Sequence, residues 1–195
     1  MSGERTAEIL LETKVVTLSP LDPYTYTSGI LSPIYCNNRR LISLPDERDR
    51  IVEGFIDLIG ESSFDVVAGT ESAGIPWSSY VGDRLRKPNV YVKKAQKEHG
   101  LKNLVEGILE QDQITLVTED LISTGGSSIA VVKAIREAGG IVNDCYAIFT
   151  YELQKSIDSF EEADCRLHTL TNFTTLVDVA LSSNYIDEQE REIYF

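Results

Sequence analysis

Residues 115–128 read Thr115-Leu116-Val117-Thr118-Glu119-Asp120-Leu121-Ile122-Ser123-Thr124-Gly125-Gly126-Ser127-Ser128. The opening apolar run is that of a buried strand, and it ends in two adjacent carboxylates, Glu119 and Asp120. Two apolar residues follow, then a loop of hydroxyl and glycine residues over 123–127. Residues 129–138 carry a helical pattern that Gly139-Gly140 stops. Strand, small-residue loop and helix start together make an anion site, because loop amides can turn inward around an oxyanion and the helix start adds partial positive charge. Gly125 and Gly126 can take backbone angles closed to other residues and let a phosphate approach the main chain. Neighbouring carboxylates repel and need a cation or hydroxyl donors between them. A sugar phosphate satisfies both halves, with ribose hydroxyls at one end and phosphate at the other. The residues alone also admit an ordinary strand-loop-helix turn with solvated carboxylates. Two other nucleotide loops are excluded. No Lys-Ser or Lys-Thr follows the second glycine, as a P-loop needs, and no Gly-x-Gly-x-x-Gly is present.

Outward from this stretch, strands alternate with helices. Residues 65–69 read as a short buried strand, and 70–76 as a second small-residue loop before a helix over 77–85. Residues 89–92 read as the next strand, 103–109 as another, 141–151 as an inner strand and 166–170 as the last. Helices are expected over 45–60, 157–163 and 173–182. At the N-terminal end, 6–18 reads as a short helix running into an apolar stretch, and 24–39 as a hairpin. The acidic tail, 187–195, is expected to fray. Such alternation implies a parallel sheet covered on both faces, with ligands at the carboxyl ends of its strands.

A chain of 195 residues suits one domain, or a domain with a small appendage. No apolar run approaches a membrane span, and the first residues lack the basic-then-apolar layout of a signal peptide. Cys36, Cys145 and Cys165 are odd in number and widely spaced, which reads as reduced thiols in a cytoplasmic protein. The net charge of −13 argues against non-specific nucleic-acid binding and obliges any polyanionic substrate to find a local basic patch. One exists: Lys93, Lys94, Lys97 and His99 fall within seven residues, followed by Gly100. On composition alone this is a solvated surface loop.

Residues 117–127 resemble the phosphoribosyl-pyrophosphate (PRPP) binding motif of type I phosphoribosyltransferases, with two apolar residues, two acids, two apolar residues, then Ser-Thr-Gly-Gly-Ser. Two further stretches narrow the resemblance to orotate phosphoribosyltransferases. Ser28-Gly29-x-x-Ser32-Pro33-x-Tyr35-x-x-x-Arg39 is similar to their N-terminal hood, and Lys93-Lys94-x-x-Lys97-x-His99-Gly100 to their mobile catalytic loop. With the 70–76 loop and Phe149-Thr150-Tyr151-Glu152-Leu153, the likeness covers nearly the whole chain.

The resemblance implies a type I phosphoribosyltransferase fold: a central, mainly parallel α/β sheet flanked by helices, with a small hood. Residues 1–40 would form the N-terminal helix and base-binding hood, and 41–195 the core, with a flap at about 93–104. It implies transfer of a phosphoribosyl group from PRPP to orotate, giving orotidine 5-monophosphate and pyrophosphate in pyrimidine (UMP) biosynthesis. Glu119 and Asp120 would hold the ribose hydroxyls. Ser123, Thr124, Gly125, Gly126 and Ser127 would hold the 5-phosphate, and Thr70, Glu71, Ser72, Ala73 and Gly74 the pyrophosphate. Lys93, Lys94, Lys97 and His99 would close over the pyrophosphate of the neighbouring subunit's site, Lys97 having the central catalytic role. Tyr35, Cys36, Arg39 and Thr124 would flank orotate. Mg2+ would bridge pyrophosphate and ribose, with Asp120 its candidate protein ligand. A flap working across subunits implies a homodimer, and neither nucleic acid nor membrane is an expected partner.

The sequence departs from the family at several places. Lys93 stands where many members carry Arg, Ala73 where some carry Lys, Thr27 or Leu31 where relatives have hood lysines, and Tyr151 near an orotate-gripping Arg. Arg39 and main-chain amides are left as the grip on the orotate carboxylate. The rival readings are a phosphoribosyltransferase for another base and a non-catalytic PRPP-sensing regulator. The hood and flap motifs speak against the first. The absence of spare length for a nucleic-acid-binding part speaks against the second.

Overall fold

The computed structural model describes residues 1–25, 29, 31–94 and 104–195 of the chain. In chain order its elements are α1 (Gly3–Glu12), β1 (Val16–Leu18), β2 (Tyr24–Thr25), β3 (Leu31–Ser32), β4 (Ile34–Cys36), a 3-10 turn (Asn38–Ser43), α2 (Pro45–Ile59), β5 (Val66–Thr70), α3 (Gly74–Leu85), β6 (Asn89–Val92), β7 (Val105–Glu106), β8 (Thr115–Ile122), α4 (Gly126–Glu137), β9 (Asp144–Thr150), α5 (Gln154–Glu162), β10 (Arg166–Asn172), α6 (Phe173–Ser182) and α7 (Glu188–Arg191). Among the described residues six strands form the main sheet, in the order β10-β9-β8-β5-β6-β7. All neighbours run parallel except β7, which is antiparallel to β6.

Alternation along the strands explains the two covered faces. Val67, Leu116, Tyr146 and Ile148 pack on one face among residues of α1, α2, α3 and α6. Val66, Ala68, Val117, Cys145 and Ala147 pack on the other with residues of α4 and α5. A strand buried on both sides reads as a continuous apolar run, as β5 and β8 do. The chain steps from β5 to β6 on one side, then returns to lay β8 on the other side of β5. Strand order reverses between β5 and β8, and a crevice opens at their carboxyl ends. Both small-residue loops leave the sheet there.

Several boundaries differ from the sequence reading. Helix α4 begins at Gly126 and α3 at Gly74, each three residues earlier than its apolar pattern. Small and hydroxyl residues fit a helix's first turn, so the expected 123–127 loop shrinks to three residues. The strand expected over 103–109 is confined to Val105–Glu106, residue 103 lying outside the described residues, and Gly107 turns away at φ +107°. Only part of the 24–39 hairpin forms, as β2 pairing with β3. Strand β4 pairs instead with β1, matching Val16 to Cys36 and Leu18 to Ile34.

The tail does not fray as expected. Asp187 and Glu190 make a reciprocal capping box, Arg191 Nη2 lies 2.8 Å from Asp178, and the Tyr194 hydroxyl donates to Pro33 O at 3.2 Å. Its aromatic side chains, Tyr194 and Phe195, each 6.0 Å from Phe173 between ring centres, were outweighed in the sequence reading by its charges.

At the opposite end of the sheet, Asp144 accepts from Arg166 Nε and Nη2, each at 2.8 Å, and lies 2.7 Å from His168 Nε2. Partial burial works to raise its pKa, but the Arg166 and His168 bonds outweigh it and hold the carboxyl below the usual range. Its stabilising contribution is present above the unfolded Asp value of about 4 and lost as pH falls through the lower folded value. Thermal melts between about pH 2 and 5 should show a shallower acid loss for Asp144→Asn than for the parent. Parallel acid limbs would contradict this.

Candidate active site

A cleft of about 370 Å³ lies at the β5–β8 switch point, lined by Tyr35, Cys36, Asn37, Asn38, Arg39, Glu71, Ser72, Ala73, Lys94, Glu119, Asp120, Leu121 and Ser127. Its floor is the end of β8. Glu119 and Asp120 are 4% and 9% exposed, so both carboxylates are nearly out of water. Burial first, and then the Asp120 charge, raises Glu119 well above the ordinary carboxylate range. Burial also raises Asp120, opposed by its bond with Glu119 and by the Arg39 charge. Two buried acids side by side are a standing electrostatic cost that hydroxyl donors or a cation would relieve.

One wall is the loop after β5. Glu71 N continues the ladder to Val92 O at 3.1 Å, and Glu71 Oε2 accepts from Lys94 N at 2.5 Å, tying this loop to the start of the 93–100 segment. The Glu71–Ser72 peptide is cis. Thr70 is buried beneath the loop, and Ala73 leads into α3. Gly74 is required by close approach: a Cβ there would lie 2.5 Å from Thr118 O and 3.4 Å from Glu119 Oε1. Gly74→Ala should therefore push the start of α3 off β8. It is expected to destabilise the fold by about 1–3 kcal/mol, as overpacking does, and to weaken phosphate binding. Parent-like melting and affinity would refute the close fit.

The second anion loop follows β8. Gly125 is the N-cap of α4 at φ +79°, the left-handed conformation a side chain disfavours, and a Cβ would meet Phe160 at 3.2 Å. Gly126 is the first helical residue and has open space, so only Gly125 uses the freedom expected of both. Ser123, Thr124, Gly126 and Ser127 are exposed, with Ser127 reaching the cleft lining. No side chain caps α3 or α4. Their first N–H groups are thus open to an acceptor from outside the helix, as an anion can provide.

The third wall comes from β4 and the turn after it. Tyr35 and Arg39 are exposed, Cys36 half-buried and Asn38 buried. Sequence reasoning found Tyr35, Cys36 and Arg39 but missed Asn37 and Asn38, whose short polar side chains look like ordinary turn residues. Leu121 was also missed, because its apolar character suggested core. The basic segment divides. Lys94 lines the cleft, whereas Lys93 Nζ lies 2.5 Å from Glu106 and is held against β7. Lys97, His99, Gly100 and the hood residues Thr27 and Ser28 lie outside the described residues. Tyr151 is half-buried and meets Phe149 edge-on at 5.2 Å between ring centres.

No protein-family model matches the chain. Curated proteins do match. The chain is 48% identical over 188 residues to an orotate phosphoribosyltransferase of Coxiella burnetii, covering 95% of this chain and 90% of that protein. It is 48% identical over 190 residues to the enzyme of that name in Halalkalibacterium halodurans, covering 96% and 90%. Among solved structures, the orotate phosphoribosyltransferase of Aeropyrum pernix superposes with a TM-score of 0.81 at 21% identity, covering 92% of this chain and 98% of that one. Sheet order, paired carboxylates and two uncapped helix starts at the switch point define a type I phosphoribosyltransferase fold. At the identity and coverage of its curated relatives, the chain belongs to the orotate phosphoribosyltransferase family.

Proposed function

We propose that this chain transfers the 5-phosphoribosyl group of PRPP to orotate, releasing pyrophosphate and forming orotidine 5-monophosphate for pyrimidine synthesis. One observation carries the reading at this site: a buried Glu119–Asp120 pair on the floor of a cleft that Ala73 and Ser127, at the uncapped starts of α3 and α4, help to line. The 5-phosphate fits Ser123, Thr124, Gly125, Gly126 and Ser127, and the ribose hydroxyls fit Glu119 and Asp120. The pyrophosphate fits Thr70, Glu71, Ser72, Ala73 and Gly74 beside Lys94. Orotate then lies along Tyr35, Cys36 and Arg39 with Thr124 beyond it, and Arg39 supplies the cation for its carboxylate.

Displacement at the anomeric carbon builds positive charge on the ribose while pyrophosphate leaves carrying negative charge. The buried carboxylates sit where the first develops, and Lys94 with the helix starts where the second does. Orotate arrives as an anion, so positioning matters more than a general base. Magnesium suits the site: among the described residues no three metal-binding side chains cluster, and two adjacent carboxylates fit a cation held mainly by substrate oxygens and water. When bound, it would neutralise pyrophosphate charge, with Asp120 its protein contact. Lys97 and His99 complete the cation set from the flap, which we place over a neighbouring subunit's site in a homodimer. Residues 1–40 act as helix and hood and 41–195 as core. Among the described residues no helix is long and apolar enough to cross a membrane, and all three thiols are free, which suits a reducing cytoplasm.

Calorimetric titration with PRPP tests the cleft. Binding that strengthens with magnesium and is competed by ribose 5-phosphate is expected. Absence of PRPP binding in folded protein would overturn the assignment.

A further inference from the structure

Asn38 is 1% exposed and opens the 3-10 turn between the base-side wall and the core. Its Nδ2 donates to the main-chain oxygen of Asp120 at 2.6 Å, across 82 positions of sequence. Its Oδ1 accepts from the Cys36 thiol at 3.2 Å. A carbonyl oxygen can only accept, so the two bonds together fix which way the amide faces. Asp120 stands two residues beyond Gly69–Thr118, the last pair of the β5–β8 ladder. That ladder no longer holds this part of β8, and the Asn38 side chain supplies a bond in its place. Cys36 ends β4, and burial first, then the Asp120 charge, keep its thiol protonated, as a donor toward Asn38 must be. A continuous path thus runs from the base-side wall through Asn38 to the peptide of a ribose-binding acid.

Resting on the phosphoribosyl-transfer reading, we propose that Asn38 is a positioning residue that fixes the Asp120 peptide, and through it the carboxylate, relative to the wall against which the base lies. It need not touch substrate. Asn38→Ala should lower kcat/KM for PRPP about tenfold, the scale of one lost buried hydrogen bond, chiefly through KM. In an Asp120→Asn background the same change should cost less than about threefold, since the carboxylate it positions is gone. Asn38→Asp keeps the volume and replaces the donor with an acceptor, so it should lose at least as much, and it carries the comparison if Asn38→Ala does not fold. PRPP affinity is read by calorimetry on variants that are folded and melt in one cooperative transition. A parent that binds PRPP but turns over no orotate would overturn the base assignment and leave this test intact. PRPP affinity within about twofold of the parent in both Asn38 variants, or equal losses in both backgrounds, would overturn the positioning role.

Discussion

Asp120→Asn is expected to lower kcat/KM for PRPP by about two to three orders of magnitude and, at the same time, to stabilise the ligand-free protein. The first effect follows from removing a charge that faces both the ribose hydroxyls and the cation developing beside them. The second follows from burial. Asp120 and Glu119 both bind protons more tightly folded than unfolded. Groups shifted this way favour the fold most below their unfolded values, and the contribution is lost as pH rises through the folded ones. At neutral pH, with Glu119 raised to about 8 and mostly protonated, a charge on Asp120 beside it still weighs against the empty fold. A neutral amide removes that weight, and each kcal/mol regained raises Tm by about 2–4 °C in a chain of this size. Raising the pH from about 4 to 8 should accordingly cost the parent more stability than the variant. Unchanged PRPP affinity, or a lower Tm in Asp120→Asn, would count against the assignment.

Lys97→Ala is expected to lower kcat by two orders of magnitude or more, leaving Tm unchanged and PRPP affinity within about tenfold. Its structure lies outside the described residues, so the expectation rests on charge accounting. The chain carries a net charge of −13, and departing pyrophosphate is strongly anionic. Among the described residues the cleft lining offers two cations, Arg39 and Lys94, and Arg39 stands on the base side. Lys93 is occupied by Glu106. The flap residues that remain to carry positive charge, Lys97, His99 and Lys102, have to supply the rest, and the family likeness gives Lys97 the central place among them. If the flap acts across subunits, equal mixtures of Lys97→Ala and Asp120→Asn protomers should regain about a quarter of parental activity, because half the dimers then hold one intact site. No recovery on mixing would place the flap in its own subunit's site. Near-parental turnover by Lys97→Ala alone would remove its central role.

Much of the fold was legible because its signals are local. Asn89–Val92 and Phe173–Ser182 occupy the spans their patterns indicate, since apolar runs bounded by turn residues leave little choice, whereas β8 runs on to Ile122, two residues past the carboxylates that end its apolar pattern. The Glu119–Asp120 pair and the glycine loop were legible for the same reason, a continuous stretch with one chemical purpose. Pairings between distant segments were not. That β4 joins β1, that Tyr194 reaches Pro33 and that Asn38 holds Asp120 are decided by contacts across tens of residues, which no single window of sequence records. The helix starts were read late because Gly74, Gly126 and Ser127 carry no apolar periodicity, although a helix's first turn tolerates them well.

Loss of orotate absorbance with PRPP and magnesium, with hypoxanthine, adenine and uracil as control bases, tests the central claim most directly. Turnover with orotate alone is the predicted result. Turnover with a purine in place of orotate, or PRPP binding without turnover of any base, would contradict it.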